Sequence, residues 1–433
     1  MPHRARFRKK PKKNLRYDYQ VVALETLRNL LAKTPHTGAF YTLSYGRFMK
    51  QYATWFKHLP HVQPYYAVKC NPDPVLLRWL ARRGIGFDCA SAREMYRVKE
   101  HFGGQPFGDR VLLANPCKTP NDIEVGKHLG VPWVTADSVE ELVKMNTAGW
   151  QPDVLLRVAV DDSGSACPFN AKFGLEPTAV EEVARAARSF HIPVVGLSFH
   201  VGSGSKSPKA FRDAVNTSKD VWSNLVGKGL AGPFKALDIG GGWSADAAAF
   251  KEQAYHASEG LKHGLRPLKT IAEPGRFFAA PTQDLYVRVV GKKPRAGGGW
   301  RYTLDESIYG QFSCVPFDHA TPKMARICLD NDSVKRKPTA ATFFGRTCDS
   351  LDWICNSDAT EELEVGDWLY VPNMGAYTTA TATEFNGFPK PAMEQTDDAP
   401  GPGSLRWLTG LDFPLAQMLS IGSKKIDGSG ELR

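Results

Sequence analysis

The feature that most constrains the fold is a series of eight short apolar runs that alternate with helical patterns. The candidate strands are "PYYAVKC" (64–70), "GFDCA" (86–90), "RVLLANP" (110–116), "WVTADS" (133–138), "DVLLRVAV" (153–160), "VVGLSFHVG" (194–202), "KALDIGGG" (235–242) and "TIAEPGR" (270–276). Amphipathic stretches such as "DPVLLRWLARRG" and "SAREMYRVKEHFGG" lie between the first five. Eight such repeats within roughly 215 residues predict a (β/α)8 TIM-type barrel.

Polar residues follow the predicted strands at the end where barrel enzymes carry their active sites. These residues are Lys69, Asp88, Asn115, Asp137, Arg157, His200, Gly240, Gly241, Gly242, Glu273 and Arg276. Any one of them is explained as an ordinary solvated strand end, and Lys69 alone would be the first exposed residue after a buried strand. A functional site is favoured instead, because a lysine, several acids, a histidine and glycines converge on one mouth of the predicted barrel.

Three of these strand ends indicate a phosphate site. The glycines of "HVGSGS" and "DIGGGW" let backbone N–H groups approach an anion closely, and "EPGR" adds a guanidinium group. A single glycine-rich turn can arise for steric reasons, but three beside Lys69 point to pyridoxal phosphate, whose aldehyde forms a Schiff base with lysine. Glu273 would then face the pyridine nitrogen. His200 would stack on the ring, or is a hydrogen-bonded core histidine.

After residue 277 the pattern changes to alternating strands with Gly, Pro and Asp turns, as in "QDLYVRVVGKKP" and "VGDWLYVPNMGAYTTA". A β-rich second domain is therefore expected. The predicted divisions are a basic disordered tail (1–16), an N-terminal segment contributing to the β-domain (17–45), the barrel (46–277), the β-rich domain (278–420) and a flexible C-terminal tail (421–433).

The net charge of +10 is a property of the N-terminal tail. Its sixteen residues hold eight lysines or arginines and no acid, which leaves +2 on the rest of the chain. Such a tail could direct nuclear import or bind anionic polymers or membranes, or it only aids solubility. Neither a secretory signal nor an apolar run of 18 residues is present, so we expect a cytoplasmic protein that needs no membrane and no nucleic acid. The eight cysteines form no Cys-x-x-Cys pair, which argues for free thiols and against a metal site.

From about residue 38 to 390 the chain resembles the eukaryotic ornithine decarboxylases, and most closely their plant-type branch. The shared landmarks, in order, are "PYYAVKCN", "GFDCAS", "LLANPCK", "KFG", "SFHVGSG", "LDIGGG", "AEPGR", "FDHA", "TCDSLD", "MGAYTTA" and "FNGF". The resemblance implies an alanine-racemase-like architecture, a pyridoxal-phosphate barrel of fold type III followed by a β-rich domain. It also implies a lyase that converts L-ornithine to putrescine and carbon dioxide in polyamine biosynthesis.

The resemblance assigns roles by position. Lys69 is the expected Schiff-base lysine, and Cys348 is expected to protonate the carbanion, although apart from the family it would pass for a buried structural thiol. Phe317, Asp318 and Asp349 are expected to bind the substrate, with Cys348 and Asp349 supplied by the second subunit of a homodimer. The expected cofactor-binding set is Lys69, Asp88, Arg157, His200, Ser203, Gly240, Gly241, Gly242, Glu273, Pro274, Gly275, Arg276 and Tyr377.

The chain departs from the family pattern beside the substrate pocket. Phe317 stands in place of the usual Tyr, Arg346 in place of Pro, and "DESIYGQFS" in place of an Asp-Gly version. These departures leave open a lysine or bifunctional lysine/ornithine decarboxylase, since one methylene is worth only about 1–3 kcal/mol of discrimination. A catalytically silent relative that binds a regulatory protein is an alternative of another class, and an inhibitor protein is an open partner for the enzyme. The stretch "VDDSGSACPFNAKFG" is expected to be a mobile loop that could cover the site.

Overall fold

The computed structural model describes residues 38–205, 207–328, 336–396 and 405–413. One short strand, β1 (Phe40–Leu43), precedes a closed barrel of parallel strands in which each strand pairs with the next and the last pairs with the first. The barrel strands are β2 (Val62–Ala67), β3 (Gly86–Cys89), β4 (Val111–Leu113), β5 (Trp133–Ala136), β6 (Asp153–Arg157), β7 (Val194–Ser198), β8 (Ala236–Asp238) and β9 (Lys269–Ala272). The predicted (β/α)8 barrel is confirmed.

Helices surround the barrel and connect its strands. They are α1 (Tyr45–His58), α2 (Pro74–Arg82), α3 (Ala92–Lys99), α4 (Pro120–His128), α5 (Val139–Thr147), α6 (Val180–Ser189), α7 (Ala210–Gly227), α8 (Ala247–Lys262) and α9 (Arg276–Ala279). Local sequence explains where some of them begin. Asp73 accepts hydrogen bonds from the N–H groups of Val75 and Leu76, both at 2.9 Å, and Pro74 occupies the first helical turn.

Two apolar layers hold the barrel together. An inner layer of six buried side chains fills the barrel interior, namely Tyr65, Leu112, Leu155, Val195, Ala236 and Ile271. A larger layer lies between the strands and the helices. Strand β7 can approach β8 closely only because residue 196 is glycine, since a Cβ there would lie 1.8 Å from the carbonyl oxygen of Ala236. The interior is therefore a packed core, and the mouth is the place left for a ligand.

Each predicted barrel strand runs too far at its carboxyl end. The prediction carried the first strand to residue 70, but β2 ends at Ala67 and a 3-10 turn, Val68–Cys70, follows it. The prediction carried the seventh strand to residue 242, but β8 ends at Asp238, and Gly240 and Gly242 adopt positive φ angles of 63° and 91°. At most positions strand pairing ends before the polar residue, whereas Asp88 and Arg157 lie within β3 and β6. The candidate site residues therefore lie mostly in turns rather than on the strands.

A β-rich domain follows the barrel, and the predicted second domain is confirmed. Its strands are β10 (Gln283–Pro294), β11 (Trp300–Leu304), β12 (Ala325–Ile327), β13 (Pro338–Phe344), β14 (Trp353–Glu361), β15 (Trp368–Val371), β16 (Ala392–Gln395), β17 (Leu405–Trp407) and β18 (Leu411–Asp412). Within the described ranges the sheet order is β17-β12-β15-β10-β11-β13-β14-β18. A short helix that the sequence did not predict, α10 (Cys314–Asp318), interrupts the strands.

The N-terminal segment joins the two parts of the molecule. β1 pairs antiparallel with β10, Phe40 opposite Tyr286, and parallel with β16, Phe40 opposite Ala392. At the barrel mouth, Asn71 donates hydrogen bonds to Gln283 at 3.0 Å and to the carbonyl oxygen of Gly375 at 2.8 Å. These contacts place sheet-domain residues over the end of β2.

Some predictions fall outside the described residues. The basic tail (1–16), residues 17–37 of the N-terminal segment and the C-terminal tail (421–433) belong to this group. Among the helices that are described, none is long and apolar enough to cross a bilayer. In the same part of the chain, no cluster of three or more His, Cys, Asp or Glu side chains is arranged to hold a metal ion.

Candidate active site

The charged end of the first barrel strand is explained by an ion pair. The Nζ atom of Lys69 lies 2.9 Å from Oδ2 of Asp88, the third residue of β3. Desolvation works to lower the pKa of Lys69, but the charges of Asp88 and then Glu273 outweigh it, so the pKa is raised. The lysine is thus held as a cation at the mouth, where its side chain is 45% exposed and the partner carboxylate is 1% exposed.

A pair of acids lies opposite the lysine. Glu273 follows β9, and its backbone N–H donates to the carbonyl oxygen of Gly240 at 2.8 Å. Asp238, the buried last residue of β8, interacts with it electrostatically, and Oδ1 of Asp238 accepts the N–H of Gly240 at 2.9 Å. Burial, and next the mutual repulsion of the two charges, raise the pKa of Glu273. Asp238 is not among the predicted site residues, although "LDIGGG" places an acid near the end of a predicted barrel strand.

A narrow cavity at the mouth brings most of the predicted cofactor-binding residues together. Its lining consists of Ala67, Lys69, His200, Ser203, Gly241, Gly242, Trp243, Glu273, Gly275, Arg276 and Tyr377. Glycine is required in this wall, because a Cβ on Gly241 would lie 2.5 Å from Nε2 of His200 and one on Gly275 would lie 2.8 Å from Cβ of Cys70. The space that these glycines leave, beside a guanidinium and a lysine, fits a phosphate ester with an aldehyde.

The remaining predicted residues of the mouth differ in their placement. Gly240 has its turn beside the cavity, and Pro274 lies between Glu273 and Gly275. Arg157 lies with its guanidinium 4.9 Å from the centre of the Phe173 ring. Asn115 and Asp137 serve local structure, since Asn115 accepts a bond from the N–H of Cys117 at 3.2 Å and Asp137 one from Gly174 at 2.9 Å. Most of the predicted strand-end residues therefore lie at or beside the cavity, but Asn115 and Asp137 are not part of its lining.

His200 is held as a neutral imidazole. Its Nδ1 accepts a hydrogen bond from the N–H of Gly202 at 2.9 Å, which leaves the ring proton to Nε2. Desolvation, and next the charges of Arg157 and Lys69, lower its pKa well below the usual range. Phe169 meets the imidazole edge-on, with 4.8 Å between ring centres.

Phe169 belongs to the loop that the sequence suggested as a cover. This loop reaches the glycine turn after β7, where Cys167 and Ser203 exchange two backbone hydrogen bonds of 3.1 and 3.3 Å. Asp162 stabilises the loop from within, because its Oδ2 accepts the N–H groups of Phe169 at 2.5 Å and Asn170 at 3.0 Å. The loop therefore packs against His200 and Ser203 at the mouth, and its mobility stays a prediction.

Arg276 connects the mouth to the sheet domain. Its two guanidinium nitrogens lie 2.7 and 2.6 Å from the carboxylate oxygens of Asp318, the last residue of α10. Tyr377, at a positive φ of 54°, lies with its ring centre 5.0 Å from the guanidinium carbon. Burial opposes the charge on Arg276, but the hydrogen-bonded Asp318 more than offsets it and raises the pKa. A predicted phosphate ligand and a predicted substrate ligand are thus ion-paired, which the sequence did not indicate.

Cys348 and Asp349 lie apart from the cavity around Lys69 and are not part of its lining among the described residues. They belong to the turn between β13 and β14. The N–H of Cys348 donates to Oδ1 of Asn386 at 2.9 Å, and the hydroxyl of Tyr309 donates to Oδ2 of Asp349. That hydrogen bond is the main reason why the pKa of Asp349 is lowered. Within one chain, the structure does not bring these two residues to the lysine.

Three large apolar side chains close in sequence to predicted site residues, or in contact with their partners, are exposed. Phe317, next to Asp318, is 70% exposed, and Leu351, two residues after Asp349, is 68% exposed. Phe385 is 42% exposed and packs on Tyr309 at 4.7 Å between ring centres. Exposed large apolar side chains beside site residues are typical of interaction sites.

Comparisons with known proteins agree with this geometry. Residues 45–280 match the family described as pyridoxal-dependent decarboxylase, pyridoxal binding domain, and residues 277–375 match its C-terminal sheet domain. An ornithine decarboxylase of Caenorhabditis elegans is 36% identical over 394 residues, which cover 86% of this chain and 91% of the worm protein. A chloroplastic ornithine decarboxylase of Nicotiana glauca is 37% identical over 358 residues, 81% of either chain.

Two solved structures of decarboxylases are also similar to this chain. The arginine decarboxylase of Paramecium bursaria Chlorella virus superposes with a TM-score of 0.79 at 34% identity and covers 86% of this chain and 100% of the viral one. The lysine/ornithine decarboxylase of Vibrio vulnificus, complexed with cadaverine, superposes with a TM-score of 0.77 at 30% identity and covers 86% of this chain and 99% of its own.

Proposed function

The chain belongs to the pyridoxal-dependent decarboxylase family, and we propose that its reaction is the conversion of L-ornithine to putrescine and carbon dioxide in polyamine biosynthesis. The observation that carries the proposal is the cavity at the barrel mouth. There Lys69, the glycine turns and Arg276 converge in a chain that is 36–38% identical to several ornithine decarboxylases.

The cofactor is pyridoxal phosphate. When bound, it supplies the electron sink that stabilises the carbanion left after carbon dioxide departs. We assign the phosphate to Ser203, Arg276, Tyr377 and the glycine residues 240–242 and 275, with Pro274 fixing the last turn. Lys69 would bind the aldehyde, and Asp88 would keep its amine oriented toward the mouth.

Glu273 and Asp238 would act together on the pyridine nitrogen. Because two buried carboxyl groups whose charges repel each other resist a second ionisation, the pair would carry a single negative charge, which matches the single positive charge of a protonated pyridine. Glu273 would hold that proton in place, and Asp238 would hold Glu273. His200 would press its neutral ring against the cofactor, since Gly202 and Phe169 fix its orientation, with Arg157 close behind it.

Substrate recognition requires acids for the distal ammonium of a diamino acid. We assign this role to Asp318 from one subunit and to Asp349 of the partner subunit, with Phe317 beside them. Cys348 of the partner subunit would deliver the proton to the α-carbon, because a thiol can give up a proton near neutral pH. A homodimer with two composite sites is supported by the exposure of the apolar side chains of Phe317 and Leu351, which lie next to Asp318 and near Asp349 in the sequence.

The division of the chain that we propose assigns the barrel to residues 46–277 and the β-domain to 278–420, with residues 17–45 contributing a strand to the second. The pairing of β1 with β10 and the extents of the two family matches support it. We also propose a cytoplasmic location.

Lysine is the second candidate substrate. A lysine/ornithine decarboxylase lies among the similar structures, and Phe317 and Arg346 differ from the family pattern next to the substrate acids. A silent relative is disfavoured, because Lys69 and Cys348 are both retained.

The test is the release of labelled carbon dioxide from L-ornithine, L-lysine and L-arginine by the purified protein, with kcat/KM determined for each. We expect the highest kcat/KM for ornithine. A higher kcat/KM for lysine would rule out ornithine as the preferred substrate and leave decarboxylation as the reaction. The absence of release from all three amino acids would leave only the silent relative.

A further inference from the structure

Arg346 makes three contacts that together fix one end of the turn that carries Cys348 and Asp349. Its guanidinium lies 3.3 Å from Oε1 of Glu306 and 3.3 Å from the carbonyl oxygen of Pro389. It also lies over the ring of Phe388, with 4.3 Å between the guanidinium carbon and the ring centre. One side chain therefore connects the turn after β13 to two segments that are distant in sequence.

Its partner Glu306 is a buried carboxylate that also accepts a hydrogen bond from the backbone. The side chain of Glu306 is 2% exposed, and its Oε2 accepts the backbone N–H of Gln311 at 2.6 Å. A side chain at Gly310 would collide with it, since a Cβ there would lie 2.3 Å from Oε2. Burial raises the pKa of Glu306 to about 7, and the Arg346 charge opposes that rise. A buried acid with one oxygen on the backbone and the other on a guanidinium depends on both partners.

A second carboxylate fixes the other end of the same turn. Asp352 accepts the N–H of Ile308 at 3.0 Å through Oδ1, and the N–H of Thr347 at 3.0 Å and its hydroxyl at 2.6 Å through Oδ2. Between the two anchored ends, Tyr309 donates to Asp349 and Asn386 accepts from the N–H of Cys348. The groups assigned to protonation and ammonium binding are thus held by contacts from segments 306–311 and 386–389.

We propose that Arg346 and Glu306 are positioning residues, an ion pair that sets the place of Cys348 and Asp349 in the composite active site. The proposal rests on the proposed function, because it takes Cys348 and Asp349 to act on the substrate. Arg346 stands where the family pattern has Pro, and the proposal gives its charge a role. That charge compensates the buried carboxylate of Glu306.

The test compares Arg346→Met and Glu306→Gln with the wild-type holoenzyme. Methionine keeps much of the length of arginine without its charge. Glutamine offers one acceptor oxygen where the structure uses two, so it cannot satisfy Gln311 and Arg346 together. Matched controls are Arg185→Met and Glu181→Gln, which alter an exposed ion pair of 2.6 Å on α6, away from the mouth.

We expect each variant of the pair to lower kcat/KM for ornithine roughly 10–100-fold, the cost of displacing a reacting group by about 1 Å. The double variant should be no worse than the poorer single variant, because both remove the same contact. Arg346→Lys should recover part of the loss, since an ammonium can still pair with Glu306.

A second readout does not depend on the substrate. Alkylation of Cys348 by iodoacetamide, measured by peptide mass spectrometry relative to the exposed Cys117, should change in Arg346→Met and Glu306→Gln and not in the control variants. If wild-type protein failed to act on ornithine, the proposed function would be wrong. The ratio of Cys348 to Cys117 alkylation would still show whether Arg346 and Glu306 position Cys348.

The positioning role is overturned if both variants of the pair keep wild-type kcat/KM and a wild-type alkylation ratio. It is also overturned if they only lower the melting temperature with that ratio unchanged. Should Arg346→Met not fold, Glu306→Gln and Arg346→Lys decide between the same outcomes.

Discussion

Mixing two inactive variants tests the most demanding part of the proposed site, the contribution of two subunits to one reaction. Lys69 lies at the barrel mouth, whereas Cys348 is exposed on a turn of the sheet domain and is not part of the lining around the lysine. If a twofold dimer brings the mouth of one subunit against the sheet domain of the other, Lys69→Ala and Cys348→Ala subunits complement each other. In a mixed dimer, one site collects both defects and the other collects neither.

The expected activity follows from this symmetry. At equal amounts and random exchange, about half of the dimers are mixed and each has one intact site of two, so activity returns to about a quarter of wild type. At a ratio of one to three the same reasoning gives about 19%. The assay is the release of labelled carbon dioxide after exchange, with the mixed dimers counted by native mass spectrometry.

A matched control uses two defects on the same side of the interface. Lys69→Ala mixed with Glu273→Ala should recover nothing from intact sites, because both residues line the same cavity of one chain. If mixed dimers form and Lys69→Ala with Cys348→Ala stays inactive, Lys69 and Cys348 work within a single chain and the composite site is wrong.

Three further predictions concern the cofactor, stability and the tail. The purified protein should be yellow, and Lys69→Ala should lose that absorbance band, whereas a protein that stays colourless with added pyridoxal phosphate contradicts the role of Lys69. Burial raises the pKa of Asp305 from 3.8 to about 6, so the stability it contributes is complete below pH 4 and is lost as the pH rises through 6. Asp305→Asn should remove this fall, by up to about 3 kcal/mol in urea unfolding between pH 4 and 7, and identical pH curves for both proteins would exclude it. Deletion of residues 1–16 should leave kcat/KM nearly unchanged, because the tail precedes every landmark of the site, and a large loss would mean that the tail contributes to catalysis.

The architecture could be predicted from the sequence because its determinants are local. The alternation of short apolar runs with amphipathic stretches is a property of consecutive residues, and it fixed the number of barrel strands. The ends of the strands were predicted less well. The run "PYYAVKC" is β-branched and aromatic to its end, yet pairing stops at Ala67, because the backbone turns there to direct Lys69 toward Asp88.

The electrostatic pairs of the site could not be predicted in the same way. Arg276 meets Asp318 across 42 residues, and Arg346 meets Glu306 across 40. The first pairing is decided by the docking of the sheet domain on the barrel and the second by packing within the sheet domain, and no periodicity of the sequence records either. Arg346 was noticed only as a departure from a family pattern. The compensating acid in "DESIYGQFS" gives that departure a physical reason.

The charges of the barrel mouth also explain why a barrel alone would not recognise a diamino acid. Asp88 is ion-paired with Lys69, and burial and then the charge of Asp238 raise the pKa of Glu273, so these acids are poor partners for a further cation. A distal ammonium group needs other carboxylates, and the ones we propose, Asp318 and Asp349, belong to the sheet domain. Because Asp318 is held by Arg276, any group that draws the guanidinium toward a phosphate would loosen its hold on that acid. If the proposed roles hold, cofactor binding at the mouth and recognition of the far end of the substrate are coupled through Arg276.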